Sequence, residues 1–138
     1  MTTPVPPPNA FIEVERLVVE ILEDDPGLAT ALVAVEPPAD FDGTAAAVLV
    51  NRRGGAWVGE LHVDEPLIEL EVYGPDKATA HTLANAGRRA LLAAAGRAFG
   101  TNVITDVVEQ DGPRWMPDYL YAAANRYVCV LKVAVDVY

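Results

Sequence analysis

Hydrophobic and polar positions recur with two different periods along the chain, and each change of period marks a predicted element. From Asn9, apolar residues follow helical spacing, with Asn9 placed to cap the helix and residues 24–27 (DDPG) placed to end it. The apolar stripe consists of Phe11, Val14, Leu17, Val18, Ile21 and Leu22. Burying six large side chains stabilises by on the order of 10 kcal/mol, so we expect this helix to cover a sheet.

Alternation at every second residue predicts the strands. A short strand is predicted within residues 31–38, and residues 45–63 are predicted as two strands joined by a two-residue turn at Gly54-Gly55. Further strands are predicted over 66–72, 101–112 and 125–138. In 66–72 the apolar side chains face one way and the acidic ones the other: Ile68, Leu70 and Val72 against Glu69 and Glu71. In 125–138 the inward positions are Tyr127, Cys129, Leu131, Val133, Val135 and Val137, and Arg126, Lys132 and Asp136 lie opposite.

A second helix follows the 66–72 strand almost at once. Tyr73-Gly74-Pro75 ends the strand, and Asp76 or a neighbour caps a helix that is predicted to run to about Ala98. Most side chains on its inner face are small, which lets the helix axis lie close to the sheet: Ala80, Leu83, Ala84, Gly87, Leu91, Ala94 and Ala98. Five polar residues are predicted to face outward or sideways: Lys77, His81, Asn85, Arg88 and Arg89.

The element order indicates an α+β fold, with a mostly antiparallel sheet of four to six strands and two main helices packed on one face. Two prolines predict that residues 112–124 are a long irregular segment with room for one helical turn. Residues 1–8 contain four prolines and are interpreted as an extended arm, either a disordered tail or an arm that orders on a neighbouring subunit. Residues 9–138 are predicted to form a single domain.

Composition narrows the functional classes. The chain has 138 residues, of which 51% are hydrophobic, and a formal charge of −10. That charge argues against a surface that neutralises nucleic-acid phosphates. A single cysteine, Cys129, excludes an intrachain disulfide and a multi-cysteine zinc site. No apolar run approaches the roughly 20 residues of a membrane-spanning helix, and no signal pattern opens the sequence.

Candidate catalytic groups are sparse. His62 and Asp64 could help bind a metal, but one imidazole and one carboxylate make a poor ligand set, and we expect both on a solvated strand face. His81 lies in the middle of the second helix among polar neighbours. Cys129 faces inward and is expected to act as a small hydrophobic residue. We therefore assign no catalytic residue, no metal and no cofactor. A small metal- or ligand-binding enzyme that uses His62 and His81 is the alternative from another class.

Two groups of residues are typical of protein interfaces. Arg52 and Arg53 lie at the predicted Gly54-Gly55 turn, where they either accompany a flexible turn or contact an acidic neighbour. A cluster in residues 114–121 contains the residue types that interfaces enrich: Arg114, Trp115, Met116, Tyr119 and Tyr121. The alternative for this cluster is that Trp115 and Tyr119 fold back as a lid over the core.

The order of these elements resembles the tail terminator (tail completion) family of long-tailed bacteriophages, with a lambda tail-terminator-like fold. The matching pieces are FIEVERLVVEIL, VLVNRRGG, DEPLIELEVYGPDKATAHTLANAGRRALLAA, EQDGPRWMPD and NRYVCVLKVAVDV, in that order. The resemblance implies a structural virion protein, not an enzyme. It would form a hexameric ring on the end of the tail tube, stop tube polymerisation and provide the interface to the head-side connector.

The resemblance also implies the partners and the location. The partners would be other copies of this chain in a homo-hexamer, the major tail tube protein and the head–tail connector protein. DNA would pass through the lumen without specific binding, and no membrane would be involved. The protein would be assembled in the host cytoplasm and would lie in the tail or neck of the virion. In such a ring we predict that some arginines face acidic patches on neighbours: Arg52, Arg53, Arg88, Arg89, Arg97 or Arg114. Another phage neck (head–tail joining) component is the nearest alternative.

Overall fold

One six-stranded sheet organises the described part of the chain. The computed structural model describes residues 13–58, 63–117, 121 and 124–136. The strand order is β1-β2-β3-β6-β5-β4. The elements in chain order are α1 Val14–Glu23, a 3-10 turn Pro26–Leu28, β1 Leu32–Ala34, β2 Ala47–Val58, β3 Val63–Gly74, α2 Lys77–Leu92, β4 Ala98–Phe99, β5 Asn102–Trp115 and β6 Asn125–Asp136.

The sheet is mixed. β1 and β2 run parallel, and every other neighbouring pair is antiparallel. The predicted α+β class with a mostly antiparallel sheet is therefore confirmed, with one parallel edge strand that the prediction lacked. The predicted 31–38 strand is shorter in the structure, since only Leu32–Ala34 pairs with β2.

Both α-helices of the described chain pack on the same face of the sheet. The predicted stripe of α1 is buried at Val14, Leu17, Val18, Ile21 and Leu22. These side chains join Ile68, Leu70 and Val72 of β3 and the inward residues of β6 in one core. Helix α1 begins at Val14 with Glu13 in the N-cap position, so the predicted start at Asn9 was too early. Asn9 and Phe11 lie outside the described residues.

Helix α2 begins where the sequence indicates and ends sooner. The carboxylate of Asp76 accepts the backbone N–H of Thr79 at 2.7 Å, and this bond lowers the pKa of Asp76. The predicted continuation to Ala98 is wrong: α2 ends at Leu92, and Ala98 belongs to β4. Gly96 has a φ of +85°, which is typical of a left-handed turn, and its N–H donates to the carbonyl of Ile104 at 2.7 Å. This turn sends the chain back into the sheet.

Residues 45–63 do not form a hairpin around Gly54-Gly55. β2 continues through both glycines to Val58, and the register with β3 shifts between Arg52 and Gly55, which marks a β-bulge. The connection to β3 falls at residues 59–62, outside the described residues. Both glycines have positive φ, as a turn would require, and this is why the sequence pattern suggested one.

Residues 112–124 are less irregular than predicted. β5 extends through Pro113 to Trp115, and Arg114 and Trp115 pair with Val128 and Tyr127 of β6. Three register shifts interrupt the β5–β6 ladder, and the last of them spans the stretch that contains Pro113. A proline lacks the N–H of a regular ladder, so it is accommodated at an irregularity on an outer strand.

Candidate interaction surface on the helix-free face

The predicted interface residues divide between the two faces of the sheet. Arg52, Arg88 and Trp115 lie on the side of the helices, where they contact Glu15, Glu109 and Tyr127. Arg53, Arg114 and Met116 lie on the opposite side, which we call the helix-free face. Tyr119 lies outside the described residues.

An open groove of about 610 Å³ runs across the helix-free face. Leu67 of β3 and Val128 and Val130 of β6 form its apolar floor. Arg53, Arg114 and Met116 lie among its walls. The fold therefore brings together three of the nine residues that the sequence marked as interface candidates.

Each arginine of this groove stands beside a carboxylate of its own chain. Arg53 binds Glu69, Arg126 lies 3.5 Å from Glu71, and Arg114 lies 3.5 Å from Asp111. The side chain of Glu69 is 8% exposed, whereas that of Arg53 is 60% exposed. The carboxylates thus hold the arginines in place while much of the Arg53 and Arg114 side chains stays open to contact.

Sequence reasoning did not select Glu69, Glu71, Asp111 or Arg126 as site residues. The alternation in β3 did place Glu69 and Glu71 together on the polar side of the strand. Only the strand order shows that Arg126 of β6 and Arg53 of β2 flank them on either side. The missing information was therefore which strands are neighbours.

A small aromatic cluster closes one end of the helix-free face. Phe41, Tyr73 and Tyr121 meet edge to face, with ring centroids 5.0, 5.3 and 6.0 Å apart. These rings pack with the buried side chains of Ala47 and Leu49. Tyr121, an interface candidate from the sequence, is half-buried in this cluster.

Trp115 packs back on the helix side, as the alternative interpretation of its cluster proposed for this residue. Its ring lies 5.4 Å from that of Tyr127, and the Nζ atom of Lys77 lies 4.6 Å from its centroid. The His81 ring is 5.2 Å from Tyr127 on the same side. Trp115, the last residue of β5, thereby joins the start of α2 to the start of β6.

Arg52 is held inside the chain by a second network. Its guanidinium donates two hydrogen bonds to Asp64, at 2.7 and 2.8 Å, and its Nε donates to the carbonyl of Gly54 at 3.0 Å. Its backbone N–H donates to the carboxylate of Glu15 in α1 at 2.9 Å. Asp64 is fully buried, so its predicted place on a solvated face was wrong. The bidentate pairing with Arg52 allows this carboxylate to be buried as an ion.

The remaining candidate arginines lie elsewhere on the surface. Arg88 of α2 binds Glu109 of β5, and the guanidinium of Arg97 lies 5.0 Å from the Phe99 ring centroid. Arg89 is exposed, and among the described residues no carboxylate lies within ion-pair distance of it. Its Nη2 lies near the 3-10 turn, 3.9 Å from the place that a Cβ atom on Gly27 would take.

Cys129, His81 and His62 are residues that the sequence offered for catalysis or metal binding. Cys129 is buried, as predicted, and burial raises the pKa of its thiol to about 12, which keeps it protonated near neutral pH. His81 lies on the exposed side of α2, where the side chain of Asn85 is 3.2 Å from its Nε2. In the described ranges no three His, Cys, Asp or Glu side chains are grouped closely enough to hold a metal ion. His62 lies outside those ranges.

Neither helix of the described residues has the length and apolar character needed to cross a membrane.

Comparison with known proteins gives no matching family model and no matching curated protein. Among solved structures, the chain is similar to a chain of the virion of a native gene transfer agent particle, with a TM-score of 0.57 and 20% sequence identity. The match covers 86% of this chain and 91% of the other. At this level of identity the similarity is one of fold.

Proposed function

We propose that this chain is a structural protein of a phage-like virion and that it acts as a tail terminator. In this role, copies of the chain form a homo-hexameric ring on the end of the tail tube and stop its polymerisation. The ring then presents an interface to the head-side connector, and DNA passes through its lumen without specific binding. The protein would carry out no chemical reaction.

The observation that carries this proposal is the similarity of fold to a virion chain over most of both molecules. The ordered sequence resemblance to tail terminators points to the same class of protein. The buried thiol and the peripheral His81 are consistent with a protein that binds other proteins and catalyses nothing. The resemblance selects the tail terminator among virion proteins.

The helix-free face is the surface we propose for contacts between proteins. All three large apolar side chains that are notably exposed in the described residues lie on this face: Leu32, on the same side of β1 as Ala34, Val108, opposite Lys132, and Met116 in the groove wall. An apolar floor with arginines at the rim has the composition of interface patches. Arg53, Arg114 and Met116 are therefore the contacts we propose first. Arg52, Arg88, Arg89, Trp115, Tyr119 and Tyr121 remain predicted contacts.

Electron microscopy of the purified protein, alone and mixed with tail tubes, tests this function. We expect rings in the wild-type sample and rings on tube ends in the mixture. Arg114→Glu with Met116→Glu should weaken ring or tube binding, because it places two negative charges on a patch that must lose water. Sedimentation velocity gives the size of the assemblies.

Ala95→Glu with Thr101→Glu is the control, because it also introduces two glutamates, at exposed positions that do not line the groove. This variant should assemble as the wild type does. A protein that stays monomeric at all concentrations and never binds tubes would contradict the proposed function. Rings that bind the connector but never the tube would instead indicate a head–tail joining protein.

A further inference from the structure

A second groove, of about 1040 Å³, lies between α1 and the edge strand β1. Val19 of α1 and Val33 and Ala34 of β1 contribute its apolar surface. Glu13, Glu15, Glu23 and Glu36 line it together with Arg16 and Arg52. Neither the sequence resemblance nor the proposed interface on the helix-free face makes use of this groove.

The strand that borders the groove has one open side. Leu32 donates its backbone N–H to the carbonyl of Ala46 at 3.0 Å, so its polar backbone groups point towards β2. Successive residues of a strand point their backbone groups in opposite directions, so the N–H and carbonyl of Val33 point outward. Within the described residues Val33 makes no backbone hydrogen bond on that side. An incoming strand could pair there.

The two sides of β1 differ in chemistry. Val33 packs with the core on the helix side, whereas Ala34 packs with the cluster on the helix-free face. Leu32 alternates with Val33, so it lies on the same side as Ala34, and it is 44% exposed. A strand added to β1 would therefore direct every second side chain into the groove and the others towards Leu32.

The groove is negatively charged. Residues 13–42 contain nine acidic residues and one basic residue. Both arginines that line the groove are already paired, Arg16 with Glu13 and Arg52 with Asp64. Glu23 and Glu36 are exposed and have no ion-pair partner among the residues described. The charges in the groove thus favour a cationic occupant.

Other copies of this chain do not supply such an occupant. Residues 1–12, which lie outside the described part, contain no lysine or arginine. None of the described strands offers a free segment in which basic and apolar residues alternate: Arg52 and Arg53 are adjacent in β2, Arg114 is the one basic residue of β5, and β6 is paired on both sides. A basic extended segment must therefore come from a different protein.

We infer that the groove between α1 and β1 binds an extended segment of a partner protein in which basic and apolar residues alternate. The segment pairs with the outward N–H and carbonyl of Val33, its basic side chains enter the groove, and its apolar side chains cover Leu32. The inference rests on the proposed function only for the biological source of the segment, which would be another virion protein.

Binding of a synthetic peptide tests the inference. The probe is a fluorescent peptide of about ten residues that alternates lysine and valine, and its control replaces each lysine by glutamate. Fluorescence anisotropy measures affinity, and amide hydrogen exchange measures protection at Val33. We expect the lysine peptide to bind and to slow exchange at Val33, and the glutamate peptide to do neither.

Variants separate the groove from general attraction between opposite charges. Glu23→Gln with Glu36→Gln should weaken binding about fivefold to tenfold. Asp24→Asn with Asp40→Asn makes the same charge change in exposed residues of the same segment but outside the groove lining, and should leave affinity close to wild type. Val33→Pro removes the outward N–H from an edge strand, where proline is tolerated, and should weaken binding about tenfold.

Equal loss of affinity in both charge variants, or binding without protection at Val33, would overturn the inference. Failure of the lysine peptide to bind would overturn it as well. Thermal melts of each variant confirm that it is folded, and the Glu23 and Glu36 variant keeps the test decisive if Val33→Pro does not fold. Ring formation is measured separately by electron microscopy, so failure of this inference is distinguishable from failure of the proposed function.

Discussion

Arg52 joins three parts of the chain through different atoms. Its guanidinium binds the buried carboxylate of Asp64 in β3, its Nε binds the Gly54 carbonyl in the bulge, and its backbone N–H binds Glu15 of α1. A buried ion is tolerated only while its partner is present, because its loss of hydration is otherwise uncompensated. The adjacent Arg53 faces the other side of the sheet and is largely exposed. The Arg52 side chain is therefore mostly enclosed by its own chain, whereas most of the Arg53 side chain is open to contact.

Arg52→Ala should lower the free energy of unfolding by about 3–5 kcal/mol, because it leaves the Asp64 carboxylate buried without a counter-ion. The double variant Arg52→Ala/Asp64→Ala should be less destabilised than the sum of the two single changes, since the buried charge is then gone. Urea denaturation measures each value. Arg16→Ala, in a pair that is 76% and 82% exposed, should change stability by less than about 1 kcal/mol. Additive effects of Arg52 and Asp64 would show that the pair does not act as a unit.

At the scale of elements, the bulge in β2 shows how glycines with positive φ are used inside a strand. Gly54 has a φ of +98° and open space around the position of a Cβ atom. Gly55 has a φ of +115°, and a Cβ there would lie 2.2 Å from the Glu65 carbonyl oxygen. The backbones of β2 and β3 approach so closely at Gly55 that no side chain fits. The bulge keeps the two strands paired up to Val58 and Val63 while their register shifts.

Gly54→Ala and Gly55→Ala form a matched pair that tests this account. Gly54→Ala should cost about 1–3 kcal/mol from backbone strain alone. Gly55→Ala should cost clearly more than Gly54→Ala, because strain is joined by a clash with the β3 backbone, which must shift and weaken the ladder. Thermal and urea denaturation of both variants measures the difference. Equal destabilisation would mean that close approach of the strands contributes nothing.

At the scale of the whole molecule, negative charge is concentrated in one part of the chain. Nine of the 20 acidic residues lie in residues 13–42 with a single arginine. These residues form α1, the 3-10 turn, β1 and the segment that leads to β2. Repulsion among like charges opposes folding of this part, and mobile ions screen it. The proposed partner segment would reduce this repulsion too, because its basic side chains would neutralise the acidic residues of the groove.

The melting temperature should therefore rise when ionic strength increases from about 0.01 M to about 0.15 M, because the screening length falls from roughly 30 Å to 8 Å. Glu23→Gln with Glu36→Gln should raise the melting temperature at low salt and reduce its salt dependence. Differential scanning calorimetry measures both effects. A melting temperature that falls with salt would mean that attractive ion pairs outweigh the repulsion.

The spacing of apolar residues in the sequence was sufficient to predict the helices and strands that repeat their buried face at one constant interval. The stripe of α1, the Asp76 cap of α2, the small inner face of α2 as far as Ala94 and the inward residues of β6 were predicted correctly for the described residues, whereas Ala98 belongs to β4. The class of the fold followed from the order of these elements. In each case the signal lies within a few residues of the position it describes, since a helix or strand repeats its buried face at a constant interval.

Tertiary structure decided the features that depend on neighbours distant in sequence. Gly54-Gly55 has the conformation of a turn, yet β3 lies beside it as a strand and makes it a bulge. Asp64 has the polarity of a surface residue, yet Arg52 allows its burial. The groove on the helix-free face exists because β2, β3, β6 and β5 lie side by side, an order in which the last strand of the chain lies inside the sheet. Strand order results from packing of the whole core, and no local period in the sequence encodes it.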